Sequence, residues 1–279
     1  MIMDEPAPEY VAARSVLLQA LAALDSHLSS LVLVGAQAIY HHTGATDLNV
    51  PLMTTDADLA VDTRRLADSP EIGSQLRAAG FRPGTNPGHW VALSDVAIDL
   101  MVVPHQAGTD RRSARAARIA PHEKATARIA HGLEPALIDN EIVTLVSLDP
   151  SDARASDLRV AGPAALLTAK VIKIGERLEQ AANQPDRVKE KDALDVFRLL
   201  QAVDVSEFVL GFRRHQEDEH ASAATTEALN ILRGQATAPE SRIPRIAGSA
   251  AQGDPTVPPA FAALVGELIT ASSSLGSDR

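Results

Sequence analysis

At Pro163 the hydrophobic period of the chain changes, and that change limits the folds open to it. Upstream, apolar residues gather in short runs closed by Gly, Asp or Pro: "LVLVG" at 31–35, "DLAV" at 58–61, "VAIDLMVVP" at 96–104, "ALIDNEIVTLVSL" at 136–148 and "DLRVAG" at 157–162. Runs of this length with Val and Ile read as strands. Helical spacing interrupts them over 9–29 (Val11, Val16, Leu17, Ala20, Leu21, Leu24), over "AQAIYHH" after Gly35, and over about 70–79 before Gly80. Downstream, "PAALLTAKVIKIGERLEQAA" opens on a proline at a permitted first-turn position and runs on without a breaker. Three more helical stretches follow, over 187–203, 205–219 and 221–234. The pattern predicts an α/β domain over 1–162, a mixed sheet flanked by helices, followed by an all-helical domain over 163–279. Within the latter, 234–259 is rich in Pro, Gly, Ala and Ser and reads as a flexible linker, with a terminal helix carrying Phe261, Leu264, Val265 and Leu268 on one stripe.

Aromatics make up only 3% of the residues against 45% hydrophobic overall, so the core must be built from Ala, Leu, Val and Ile. The absence of cysteine removes disulfides, thiolate zinc sites and cysteine nucleophiles. A net charge of −10 argues against binding nucleic acid through overall charge, although 106–131 concentrates Arg111, Arg112, Arg115, Arg118, Lys124 and Arg128 and reads as a mobile or ligand-facing basic segment. The start of the chain lacks the basic and apolar regions of a signal peptide, and no apolar run approaches the roughly 20 residues of a membrane span. A cytoplasmic protein without a membrane partner is expected.

The stretch "LMTTDADLAV" places Asp56 and Asp58 at the start of an apolar strand. Side chains alternate along a strand, so the two carboxylates share one side. Two like charges there raise each other's pKa and lose hydration, a cost that a divalent cation relieves. Magnesium suits them, because it takes hard oxygen ligands, often one or two carboxylates and substrate phosphates. Asp99, isolated in the apolar run 96–104, would serve as a third ligand or a general base if its strand lies alongside; the plain alternative is a solvent-facing D-x-D. Lys170, Lys173 and Arg177 fall on one helical face, which either meets a phosphate or faces solvent. Asp192 and Asp195 also share a face, with Lys189, Lys191 and Arg198 as ordinary surface partners. His41 and His42 point about 100° apart on a helix and have no zinc-type spacing to a third ligand, and Trp90 reads as core.

The order of glycine turn, D-x-D and isolated Asp resembles the nucleotidyltransferase superfamily. "GPAALLTAKVIKIGER" followed by "KEKDALDVFRLL" is similar to the later motif of AbiEii/MenT-type nucleotidyltransferases, toxins of toxin–antitoxin pairs. The resemblance covers roughly 31–200 and departs from the family at Ala36, where Ser or Gly is usual. It implies Asp56, Asp58 and Asp99 as metal-binding and, with Lys170 and Asp192, catalytic residues. It implies Gly35, Ala36, Thr55, Lys170 and Lys173 as nucleotide-binding. It further implies Mg2+ as cofactor, a nucleoside triphosphate as substrate, an RNA or tRNA 3′ end as acceptor and a cognate antitoxin as partner. Two other readings stand beside it: a catalytically silent binding protein of the same fold, and an antibiotic-type enzyme acting on a cationic small molecule.

Overall fold

The structure is a computed structural model that describes residues 6–44, 50, 52–109, 111, 114–180 and 190–273. The chain divides into two units. Met1–Ala38, Pro51–Ala130 and Asn140–Ala161 make the first, and Ile39–Val50, His131–Asp139 and Gly162–Arg279 the second. The division expected at 162/163 falls at the last passage into the second unit, and the earlier segments 39–50 and 131–139 belong there too.

In the first unit, α1 (Pro8–Ala23) starts on a first-turn proline and buries Ala13, Leu17, Ala20 and Leu21. A 3-10 turn at Asp25–Ser30 leads into β1 (Leu31–Val34), buried at all its positions, and then into α2 (Gly35–Thr43), which begins in this unit. There follow β2 (Asp56–Val61), α3 (Ile72–Ala78), β3 (Arg82–Pro83), β4 (His89–Val91), β5 (Ala97–Val102), β6 (Arg128–Ile129), β7 (Asn140–Val146) and β8 (Ala155–Ala161). The Glu71 side chain caps α3 by accepting from the Gly73 and Ser74 amides. The eight strands form one mixed sheet in the order β3-β4-β5-β2-β1-β8-β7, with β6 on β5. β1–β2, β4–β5 and β7–β8 are antiparallel, while β2–β5 and β1–β8 are parallel. α1 packs on β2, β5 and β8. Asp95, at φ 62°, turns the hairpin between β4 and β5.

The second unit holds α4 (Pro163–Gln180), α5 (Glu190–Ala202), α6 (Val205–His215), α7 (Glu219–Gln235), α8 (Arg242–Ala250) and α9 (Val257–Ser273). Asp204 and Asp218 cap α6 and α7 through their carboxylates. Asp139, buried, accepts from Arg214 Nη1 (2.9 Å) and His215 Nε2 (3.2 Å), and Thr225 Oγ1 lies 2.7 Å from His215 Nδ1, which ties α6 and α7 to the 131–139 segment. α9 docks through its apolar stripe, Phe261 stacking on Phe197 of α5 at 5.8 Å between ring centroids. The linker expected over 234–259 is corrected: most of its centre is α8, which buries Ile243, Pro244, Ala247 and Gly248 against α5 and α9. Pro244 lies in the first turn, where its missing N–H costs no helical bond, and Gly248 lets Pro258 approach so closely that a Cβ would sit 2.9 Å from the ring. Among the described residues, no helix is long and apolar enough to cross a membrane.

Candidate metal and nucleotide site

The sheet register builds a row of polar side chains across three strands of the first unit. Parallel pairing of β2 with β5 sets Asp58 opposite Asp99, and antiparallel pairing of β4 with β5 sets His89 opposite Asp99. Residues opposite one another in neighbouring strands point to the same face, so Asp58, Asp99 and His89 lie side by side, with Asp56 two positions along β2. The alternation expected of the D-x-D pair is what the strand provides: both carboxylates are half-buried, with Ala57 buried on the other face.

Each carboxylate is held differently. Asp99 accepts from His89 Nδ1 at 2.7 Å and pairs with Arg128 Nε at 3.6 Å. Asp56 Oδ1 accepts from Thr54 Oγ1 at 3.0 Å, and its backbone carbonyl accepts from Gln37 Nε2 at 3.2 Å. Gln37 is in turn oriented by Arg14 Nε, 2.9 Å from its Oε1. The Asp58 carboxylate has neither a hydrogen bond nor an ion pair among the described residues. Gly35 makes room for it: at φ +69° the glycine turns from β1 into α2, and a Cβ there would lie 2.1 Å from Asp58 Oδ2. That close approach is the reason for the glycine turn, and Ala36, next along, is buried at the start of α2.

Among the described residues, no three or more His, Cys, Asp or Glu are gathered so as to hold a metal ion. The donors that fit magnesium are therefore Asp56 and Asp58, hard oxygens of which one pair is unengaged, whereas both Asp99 oxygens already meet nitrogen donors. A carboxylate pair plus phosphate oxygens is a sufficient magnesium set.

Lys170, Lys173 and Arg177 form the expected stripe along α4, and within the second unit the stripe faces α5. Lys170 Nζ donates to Asp192 Oδ1 (2.8 Å) and Asp195 Oδ2 (2.7 Å), Arg177 donates to Asp192 Oδ2, and Lys173 Nζ lies 3.6 Å from Asp192 Oδ1. Lys170, Asp192 and Asp195 are 7%, 4% and 1% exposed. Burial works against the Lys170 charge, but Asp195 and Asp192 outweigh it and its pKa rises; burial likewise opposes the Asp192 charge, and Lys170, Lys173 and Arg177 hold that carboxyl well below the usual range. Arg198, expected as a surface partner, is buried, feels the Asp195 charge and donates from Nη2 to Val50 O at 2.5 Å. Lys189 lies outside the described residues.

A comparison with family models, curated proteins and solved structures finds no match to this chain.

Thr55 is exposed at the bend before β2, while its neighbour Thr54 is buried and braces Asp56. The basic segment is folded on itself. Ala117 N donates to Ala127 O (3.0 Å), Ile129 N to Arg115 O (2.8 Å), and Arg128 is delivered to Asp99 by β6. Arg112 lies outside the described residues. Sequence reading missed His89, Thr54, Gln37 and Arg14, and placed Arg128 in the basic segment without its pairing to Asp99. For His89 the signal was its strand parity relative to Asp99 across the Asp95 turn; Arg14 sits on an apolar helix and carried none. Trp90 is core as expected, its indole N–H donating to Thr126 O at 3.0 Å.

Proposed function

We propose that the chain is a magnesium-dependent nucleotidyltransferase that moves a nucleoside monophosphate from a nucleoside triphosphate to an acceptor hydroxyl. The observation that carries this reading is the register of Asp58 with Asp99 on parallel neighbours, with Asp56 on the same face and Asp58 unengaged. Asp56 and Asp58 would hold the metal, with Thr54 and the Gln37–Arg14 pair fixing Asp56 in place. Magnesium, when bound, would neutralise phosphate charge and stabilise the attacking and leaving oxygens. Asp99, aligned by His89, accepts the acceptor's proton as its oxygen bonds to the α-phosphorus and pyrophosphate departs. Amides at the start of α2, including those of Gly35 and Ala36, offer donors to the triphosphate, and Thr55 is exposed next to Asp56. The family resemblance gives Lys170, Lys173 and Asp192 roles in the reaction; within the second unit they are joined by the ion pairs of both lysines with Asp192. The family resemblance adds an RNA 3′ end, such as that of tRNA, as acceptor and an antitoxin as partner.

One observation favours a second reading. Asp99 is paired with Arg128, and a silent fold that binds a partner needs no more than that. Incubation with each α-labelled triphosphate, magnesium and total RNA, beside Asp58→Ala, separates the two. Label entering RNA only with Asp58 present supports the enzyme; no magnesium-dependent label in any fraction leaves the binding protein; label in a small molecule points to the antibiotic-type reaction.

A further inference from the structure

Arg159 stands apart from the carboxylate row and is used by none of the chemistry above. It lies on β8, opposite Val32 of β1, which is itself opposite Ala60 of β2. It is 8% exposed, and among the described residues its Nε and Nη2 meet no acceptor. The carboxylate whose charge acts on it, Asp62, follows β2 and is already committed: its Oδ1 accepts from Arg64 Nε (3.1 Å) and Gln106 Nε2 (3.2 Å), and its Oδ2 pairs with Arg65 Nε (3.6 Å). Gln106 also accepts from the Thr63 amide (2.8 Å) and hydroxyl (3.1 Å), which pins the turn that carries the two exposed arginines. Two guanidinium groups thus share one carboxylate, and none of its hydrogen bonds goes to Arg159.

A buried charge with no partner is costly, and an unsatisfied buried donor in a folded protein calls for a group to satisfy it. Burial and the charges of Arg65 and Arg64, with only Asp62 opposing, depress the Arg159 pKa, so the surroundings are short of negative charge. Guanidinium groups pair with phosphate oxygens through parallel hydrogen bonds. We propose that Arg159, Arg65 and Arg64 form a binding site for a phosphate-type dianion at the end of β2 opposite Asp56. Asp62 lies four residues beyond Asp58, the nearer member of the proposed metal pair, about 13 Å at strand rise, so this site is distinct from that pair. It stands whether or not the chain transfers nucleotides.

The dianion could be free or carried by a nucleotide, and titration of the whole chain with inorganic phosphate or AMP, at ionic strength matched with sodium chloride, tells them apart. Calorimetry should show phosphate binding one to one, with a rise in melting temperature. Arg159→Met should abolish both effects and Arg65→Gln, at an exposed position, should weaken binding at least tenfold with folding intact. Asp58→Ala should leave it unchanged. AMP binding that needs Arg159 assigns a nucleotide-borne phosphate; phosphate binding alone assigns the free ion. The site is refuted if neither ligand binds beyond the chloride control, if Arg65→Gln binds phosphate like the parent, or if binding is lost in Asp58→Ala instead.

Discussion

Gly35 shows how much one missing side chain can decide. Its φ of +69° and the contact with Asp58 leave no space for a methyl group. Gly35→Ala should cost about 1–2 kcal/mol from the left-handed backbone alone and should push the Asp58 carboxylate aside. The expected outcome is a lower urea midpoint together with transfer activity reduced to near that of Asp58→Ala; a variant with parental activity would sink the assignment of Asp58. Lys170 gives a second test. Lys170→Met strands Asp192 and Asp195 in the interior and should cost about 3–5 kcal/mol, as breaking a buried pair does. Adding Asp192→Leu and Asp195→Leu removes the stranded charges, so the triple variant should recover much of the loss in urea denaturation. If instead the triple variant is the weakest of all, the ion cluster supplies more than mutual compensation.

Among the helices, α8 departs most from what composition led one to expect. Its residues are those of a linker, yet Ile243 and Ala247 are spaced one turn apart and both are fully buried. Ile243→Ala should lower stability by about 2–5 kcal/mol, the range for truncating a buried aliphatic side chain, whereas a free linker would lose nothing measurable. The strands were easier to read. β1, β2, β5, β7 and β8 all occupy the expected runs because each is bounded by Gly, Asp or Pro and rich in apolar residues, and α4 begins at Pro163 as its first-turn proline required. What no strand could announce was its neighbour: the pairing of Asp58 with Asp99 depends on β5 lying parallel to β2, two strands that are distant in sequence.

The chain as a whole should answer to pH through its buried carboxylates. Asp139 loses solvation on burial, but the hydrogen bond and charge of His215 and those of Arg214 more than offset this and lower its pKa; Asp192 is lowered by its own cations. Both groups stabilise the fold in full above their ordinary value of 3.8 and lose that contribution as pH falls through the folded value. Lys170, raised, contributes below its ordinary 10.5 and is lost only at higher pH. Calorimetric melting temperatures should therefore hold from about pH 5 to 9 and drop below pH 4, with Asp192→Asn flattening the acid limb. Glu176, whose pKa burial raises with help from Glu227 and Glu179, pulls the other way, favouring the fold as it protonates. Local pattern carried the class of fold, the helical second half and the side of β2 that bears Asp56 and Asp58, because periodicity and turn residues act over a few positions. Contacts between distant segments settled the rest: which strand lies beside β2, that His89 and Arg128 reach Asp99, that Lys170 is spent on Asp192 and Asp195, and that Arg159 is buried with its Nε and Nη2 meeting no acceptor among the described residues. Those outcomes depend on sheet register and helix packing, which bring together residues whose spacing along the chain carries no trace of the meeting.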